Sequence, residues 1–205
     1  MEAKKYELLQ DDTKEFFGRK LYRIKALIAI GLSVAAGDVG GYVESEKNLS
    51  QFGNAWVSGN ARVSGDARVY GNARVYGNAQ VSGDARVSGD ARVSGNAQVS
   101  GDARVSGNAR VSGDAQVCGN AWVQSRADIQ TYSGVGSEYG TLTVYRTKDG
   151  IELTRGCFRG SLDQFRAAVH ERHGAGSKVG KSYLGIANLI EFWFDVQPEE
   201  IKEAA

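Results

Sequence analysis

The chain has 205 residues and carries 25 basic against 24 acidic side chains. The balance holds in its amino-terminal, middle and carboxy-terminal parts alike, so no region exerts the broad electrostatic pull that binds nucleic acid or an anionic membrane. The length suits one core with a small attached domain. The first residues lack the charged-then-apolar order of a signal peptide, and the most apolar run, residues 26–37, is too short to span a bilayer. Two cysteines, Cys118 and Cys157, make no disulfide framework. A soluble protein of a reducing cytoplasm is expected.

Residues 4–9 alternate in polarity, residues 10–14 read as a polar turn, and residues 19–30 alternate again. The pattern predicts a small β-hairpin or meander, which with the loop at residues 36–42 forms a β cap over residues 1–42. Val43 and Leu49 are six apart and begin a coil; two extra residues bulge at positions 51–53 before Val57.

From Asn54 to Ser125 run twelve consecutive six-residue units, each Asn/Asp-Ala-x-Val-x-Gly, the last ending in Ser125. A worn thirteenth unit, RADIQT, occupies residues 126–131. A period of six makes no stripe on a helix of 3.6 residues per turn. It suits a short strand and a corner: Ala and Val, two apart, share one side, and the intervening residue faces the other way. Gly with Asn or Asp turns the chain. The outward position before Val repeats at eighteen, giving Trp56, Arg74, Arg92, Arg110; then Arg62, Gln80, Gln98, Gln116; then Arg68, Arg86, Arg104, Trp122. Three units therefore make one coil of a three-sided parallel β-helix over residues 43–131, with rungs about 4.8 Å apart and four coils stacked over roughly 19 Å.

The units resemble the hexapeptide repeat of left-handed β-helix proteins, an aliphatic residue with a small residue two positions before it. The run AGDVGGYVESEKNLSQFGNAWVSGNA at residues 36–61 resembles more narrowly the hexapeptide-repeat proteins of bacteriophages and prophages, and enterobacterial β-helix proteins with a similar amino-terminal cap. The resemblance covers about the first two thirds of the chain and is specific for fold rather than activity. It implies a left-handed coil, a homotrimer, and a place in the cytosol of a bacterial host.

Residues 132–140 (YSGVGSEYG) read as a linker. Residues 141–147 and 151–155 form a hairpin around Lys148-Asp149-Gly150. Ser161 opens a capping box for a helix to His173 with Leu162, Phe165, Ala168 and Val169 on its apolar face. A second helix is expected over residues 181–196, burying Tyr183, Leu184, Ala187, Ile190 and Phe194; Pro198 ends it and a charged tail covers residues 197–205. The carboxy-terminal part, residues 141–196, is thus a small α+β domain. The fold class is mainly β: a three-sided left-handed parallel β-helix between a β cap and an α+β domain.

Four constellations bear on function. Acyl transfer, common among hexapeptide-repeat proteins, needs a general base near a subunit cleft. The two histidines, His170 and His173, read instead as surface residues of the first helix. The run 174–182 ends in Gly180-Lys181-Ser182 but lacks the glycine spacing of a phosphate-binding loop, leaving Lys178, Lys181 and Ser182 as an anion site at a helix start. The columns Arg68, Arg86, Arg104 and Arg74, Arg92, Arg110 are either solvated and neutralised by Asp66, Asp84, Asp90 and Asp102, or preorganised for phosphates and carboxylates. Tyr70 and Tyr76, beside Arg68 and Arg74, are placed to stack on a base. The neutral Gln80, Gln98, Gln116 face suits protein packing. No catalytic constellation, metal site or cofactor is read. The expected function is a non-enzymatic phage binding protein that sequesters a host defence component, either a nucleotide signal or a defence protein. The alternatives are a structural spacer and an acyltransferase.

Overall fold

A computed structural model describes residues 4–196; the expected helix stop at Pro198 and the charged tail lie outside the described residues. The chain forms a left-handed parallel β-solenoid with an amino-terminal sheet cap and a carboxy-terminal α+β region. The Ala and Val of all twelve units are buried, at most 1% exposed, and form one continuous core. The corner glycines from Gly59 to Gly119 have φ between 57° and 74°, where L side chains are strained. They also stack closely: a Cβ on Gly95 would stand 2.9 Å from the backbone N and O of Gly113.

Strands β1 (Tyr6–Phe16), β2 (Arg19–Ala26) and β3 (Val39–Val43) precede twelve two-residue strands, β4 (Trp56–Val57) through β15 (Trp122–Val123). Every third strand pairs in parallel register, eighteen residues apart. Backbone amides of one coil donate to carbonyls of the next, as from Arg74 to Ala91 (2.9 Å) and from Tyr76 to Val93 (2.9 Å). Three faces result, called here the Trp56 face, the glutamine face and the Trp122 face. Side-chain amides stitch two corners, Asn60 to Asn78 to Asn96 to Asp114 and Asn54 to Asn72 to Asp90. The third corner, Asp66, Asp84, Asp102, has no amide to donate, and no such ladder forms there; Lys47 pairs with Asp66 at 2.8 Å.

This stacking leaves carbonyls bare below and amides bare above, and the two ends are closed with opposite chemistry. Below, donors meet carbonyls: Lys5 Nζ meets Ala55 O (3.0 Å), Arg23 Nη1 meets Gly59 O (3.3 Å), and Asn48 Nδ2 meets Gly65 O and Ala67 O (2.9 Å each). Above, acceptors meet amides: Thr143 Oγ1 takes Gln116 N–H (3.2 Å), the Tyr145 hydroxyl takes Cys118 N–H (3.3 Å), and Asp128 Oδ2 takes Gln124 N–H (2.9 Å) and Ser125 N–H (2.8 Å).

The amino-terminal hairpin turns at Phe17-Gly18, both at positive φ, and not at residues 10–14. Those residues remain in β1 as an irregularity between Leu9 and Thr13, because β2 continues to pair on either side. Strand β3 runs antiparallel to β2 and parallel to β5 (Arg62–Val63), which joins the cap to the glutamine face as one sheet. Val43 pairs with Val63 and Leu49 bridges Val69, so both belong to the first coil.

At the upper end, residues 126–128 form a 3-10 turn held by Asp128, and β16 (Ile129–Val135) leaves the solenoid directly. The stretch expected as a linker is therefore largely strand. Its polar residues pair with β17 (Gly140–Arg146) in an antiparallel sheet completed by β18 (Ile151–Arg155) and β19 (Phe158–Gly160). Successive residues of β17 serve opposite faces. Thr143 and Tyr145 cap the solenoid, while Leu142 and Val144 pack with Leu153 against helices α1 (Leu162–His173) and α2 (Lys178–Phe194). Helix α2 begins three residues before the expected start because Ser177 caps it, its Oγ accepting from Gly180 N at 2.9 Å.

Burial lowers the Lys5 ammonium from 10.5 to about 8. Burial, aided by the Glu46 carboxylate, pushes the Tyr6 phenol up from 10.0; burial and the neighbouring Cys118 do the same to Tyr145. Between about pH 8 and 10 the unfolded chain holds a proton that folded Lys5 has released, so stability rises with pH. Above pH 10 the unfolded chain loses phenolic protons that folded Tyr6 and Tyr145 keep, so stability falls. Urea unfolding from pH 7 to 11 is expected to show a maximum near pH 10, which Lys5→Met removes from its rising side.

Candidate functional site: the arginine face ending at Trp122

On the Trp122 face the six-residue corner geometry aligns Arg68, Arg86, Arg104 and Trp122 in one register. Among the described residues, none of the six column arginines forms an ion pair or donates a side-chain hydrogen bond. Corner aspartates therefore do not neutralise the columns by pairing: Asp66 pairs with Lys47, and the others are in no ion pair among the described residues. The guanidiniums of one face stand about 4.8 Å apart along the stack, an arrangement that like charges disfavour and a bound anion relieves.

Arg86 and Arg104 line a shallow groove of about 350 Å³ with Ser88 and Ser106 beside them. Tyr70 bounds it below and Trp122 above. Three rungs separate the two rings, about 14 Å at the usual spacing. Arg104 lies 5.3 Å from the Trp122 ring centroid, and Lys148, from the β17–β18 turn, lies 5.4 Å over the same ring. Such contacts hold a cation over the indole face. The groove therefore offers two unpaired forked donors, hydroxyls and two aromatic walls.

The structure brings together only some of the residues singled out from sequence. Arg86, Arg104 and Tyr70 share the groove, and Arg68 continues its column one rung below Arg86. Arg74, Arg92, Arg110 and Tyr76 occupy the Trp56 face. The aromatic that heads that column, Trp56, is buried against Tyr6 in the cap and bounds no groove. Lys178, Lys181 and Ser182 are exposed on α2, in another part of the chain. With the helix starting at Lys178, Lys181 and Ser182 lie inside it, and Ser177 already engages a first-turn amide. Trp122 is the member missing from the sequence-derived set, although its place in an arginine column marks it. Lys148 carries no such mark, because only the fold brings its turn over Trp122.

The histidines also differ from expectation in one case. His170 is exposed, but His173 is half-buried, its ring 5.6 Å from that of Tyr183. Among the described residues, no group of three or more His, Cys, Asp or Glu side chains is arranged to hold a metal ion, and no helix is long and apolar enough to cross a membrane.

The repeats are similar to those of the YdcK β-solenoid family, whose repeat model matches residues 55–69, 67–83, 79–95, 85–101, 97–113 and 103–119. The matched segments lie within the solenoid and stop short of both caps. No curated protein matches the chain.

Proposed function

We propose that the protein is a non-enzymatic binding scaffold that captures a small anionic nucleotide on its Trp122 face. One observation carries this reading: an in-register row of guanidiniums without ion-pair partners, ending in an aromatic ring at Trp122 and flanked by Tyr70. Guanidiniums bind phosphate oxygens in a forked geometry, and aromatic rings stack on bases whatever their identity. A shallow groove on a rigid stack suits capture and release. The likeness of residues 36–61 to phage and prophage solenoid proteins supports the finer form of the proposal. In that form a phage product sequesters a host nucleotide signal in the bacterial cytosol, as a homotrimer packed through the neutral glutamine faces.

Calorimetry against a panel of cyclic and linear nucleotides tests the reading. Heat is expected from at least one member, with affinity falling as salt rises because the contacts are charged. Absence of heat across the panel overturns nucleotide capture. Sedimentation equilibrium tests the assembly separately: a mass of three chains is expected, and a monomer removes the trimer from the account.

A further inference from the structure

The carboxy-terminal unit encloses a cavity of about 200 Å³ between β18, the turn into β19, and helices α1 and α2. Its floor is aromatic. Phe158 and Phe165 meet edge to face with centroids 5.5 Å apart, and Phe165 meets Tyr183 in the same way at 5.5 Å. Val169 and Ala168 complete the apolar wall. Three nitrogen-bearing side chains, Arg155, Arg172 and His173, converge on the same space.

Arg155 is the unusual member. Its side chain is only 14% exposed, and its nearest carboxylate is Glu138 at 3.9 Å, itself 79% exposed. Nη2 donates to the Val135 carbonyl at 3.1 Å, while Nε is buried without a hydrogen-bond partner. The backbone is shaped around it: a Cβ on Gly140 would stand 2.5 Å from the guanidinium carbon. A cation held in an apolar wall by one neutral carbonyl and one loose, solvated carboxylate is under-compensated. An anion entering the cavity supplies the missing partner.

We propose that this cavity is a second binding site, for a small carboxylate with an aromatic or alkyl body. The body lies on Phe158, Phe165 and Val169, and the carboxylate meets Arg155, with Arg172 and His173 beside it. The volume is below the ~300 Å³ of typical drug-sized sites, which restricts the ligand to small acids. The site shares no residue with the Trp122 groove.

The test uses the full chain and 3-phenylpropionate as probe, with 3-phenylpropanol as its uncharged counterpart. Cys157 lies exposed on the cavity wall, so its alkylation by iodoacetamide reports occupancy of this site. The acid is expected to bind and slow that alkylation, and the alcohol to bind about tenfold more weakly, since a charge-assisted pair is lost. Because Arg155 also braces Val135, the variants are Arg172→Gln, on the exposed rim, and Ala168→Leu, which occupies cavity volume. Arg172→Gln is expected to weaken the acid about tenfold without changing the alcohol; Ala168→Leu is expected to weaken both; Arg86→Ala is expected to change neither. Equal binding of acid and alcohol, failure of the acid to protect Cys157, or indifference to both cavity variants overturns the proposal.

Discussion

Tyr145→Ala is expected to destabilise the protein by about 3–5 kcal/mol, the range for deleting a buried aromatic ring, and to promote end-to-end association. Tyr145 is fully buried and belongs to the solenoid core although it stands on β17. Its ring covers the upper end of that core, and its hydroxyl accepts from Cys118 N–H at 3.3 Å and approaches Cys118 Sγ at 3.4 Å. Removing the side chain opens a cavity and uncovers amides that the next coil of a longer solenoid would have used. Tyr145→Phe separates the two contributions. It keeps the ring, leaves the Cys118 amide unpaired, and is expected to cost about 1–3 kcal/mol. Urea unfolding gives the stabilities and sedimentation velocity the association. A Tyr145→Ala protein as stable as Tyr145→Phe would show that the ring is not the plug.

The second large effect falls on binding. Replacing Arg86 and Arg104 together by Ala is expected to reduce nucleotide affinity about a hundredfold or more, since each charge-assisted hydrogen bond lost contributes about 1.5–3 kcal/mol. Replacing Arg74 and Arg92, the equivalent pair on the Trp56 face, is expected to change affinity by no more than about threefold. The two doubles remove the same charge from the same coils, so overall electrostatics cannot distinguish them. Neither pair forms an ion pair among the described residues, so both proteins are expected to unfold at the same temperature as the parent. Equal losses from the two faces would mean that net charge, rather than the groove, binds the nucleotide.

The solenoid was legible because its rules are local and repeat. Ala and Val two apart set the buried side, Gly sets the corner, and eighteen-residue spacing assigns each outward residue to a face; the observed pairs Arg86 with Arg104 and Gln98 with Gln116 follow from counting. The ends were less legible because they are closed by distant residues chosen for hydrogen-bonding sense. Nothing in the local pattern of Lys5 marks a donor for Ala55 O, and nothing in YSGVGSEYG marks a strand until β17 is beside it. The same limit applied to the groove. Arg86, Arg104 and Tyr70 could be read from the repeat, and Trp122 stood in its column, but Lys148 reaches that ring only because β17 and β18 turn there. The carboxy-terminal cavity was missed because its cations come from a strand and a helix, and His173 looked like one more polar residue near a helix end.

The central claim, a ligand site built across stacked coils, is tested most directly by removing one coil. Deleting residues 85–102 joins Asp84 to Ala103, positions equivalent in the repeat, and so preserves register and both caps. It removes Arg86 and Ser88 from the groove and brings Tyr70 one rung closer to Trp122. Circular dichroism and urea unfolding establish that the shortened solenoid folds, and calorimetry with the nucleotide bound by the parent then decides. The site account predicts a folded protein with binding lost or weakened at least about a hundredfold. A folded, shortened protein that binds with parental affinity would contradict it and leave the solenoid as a spacer.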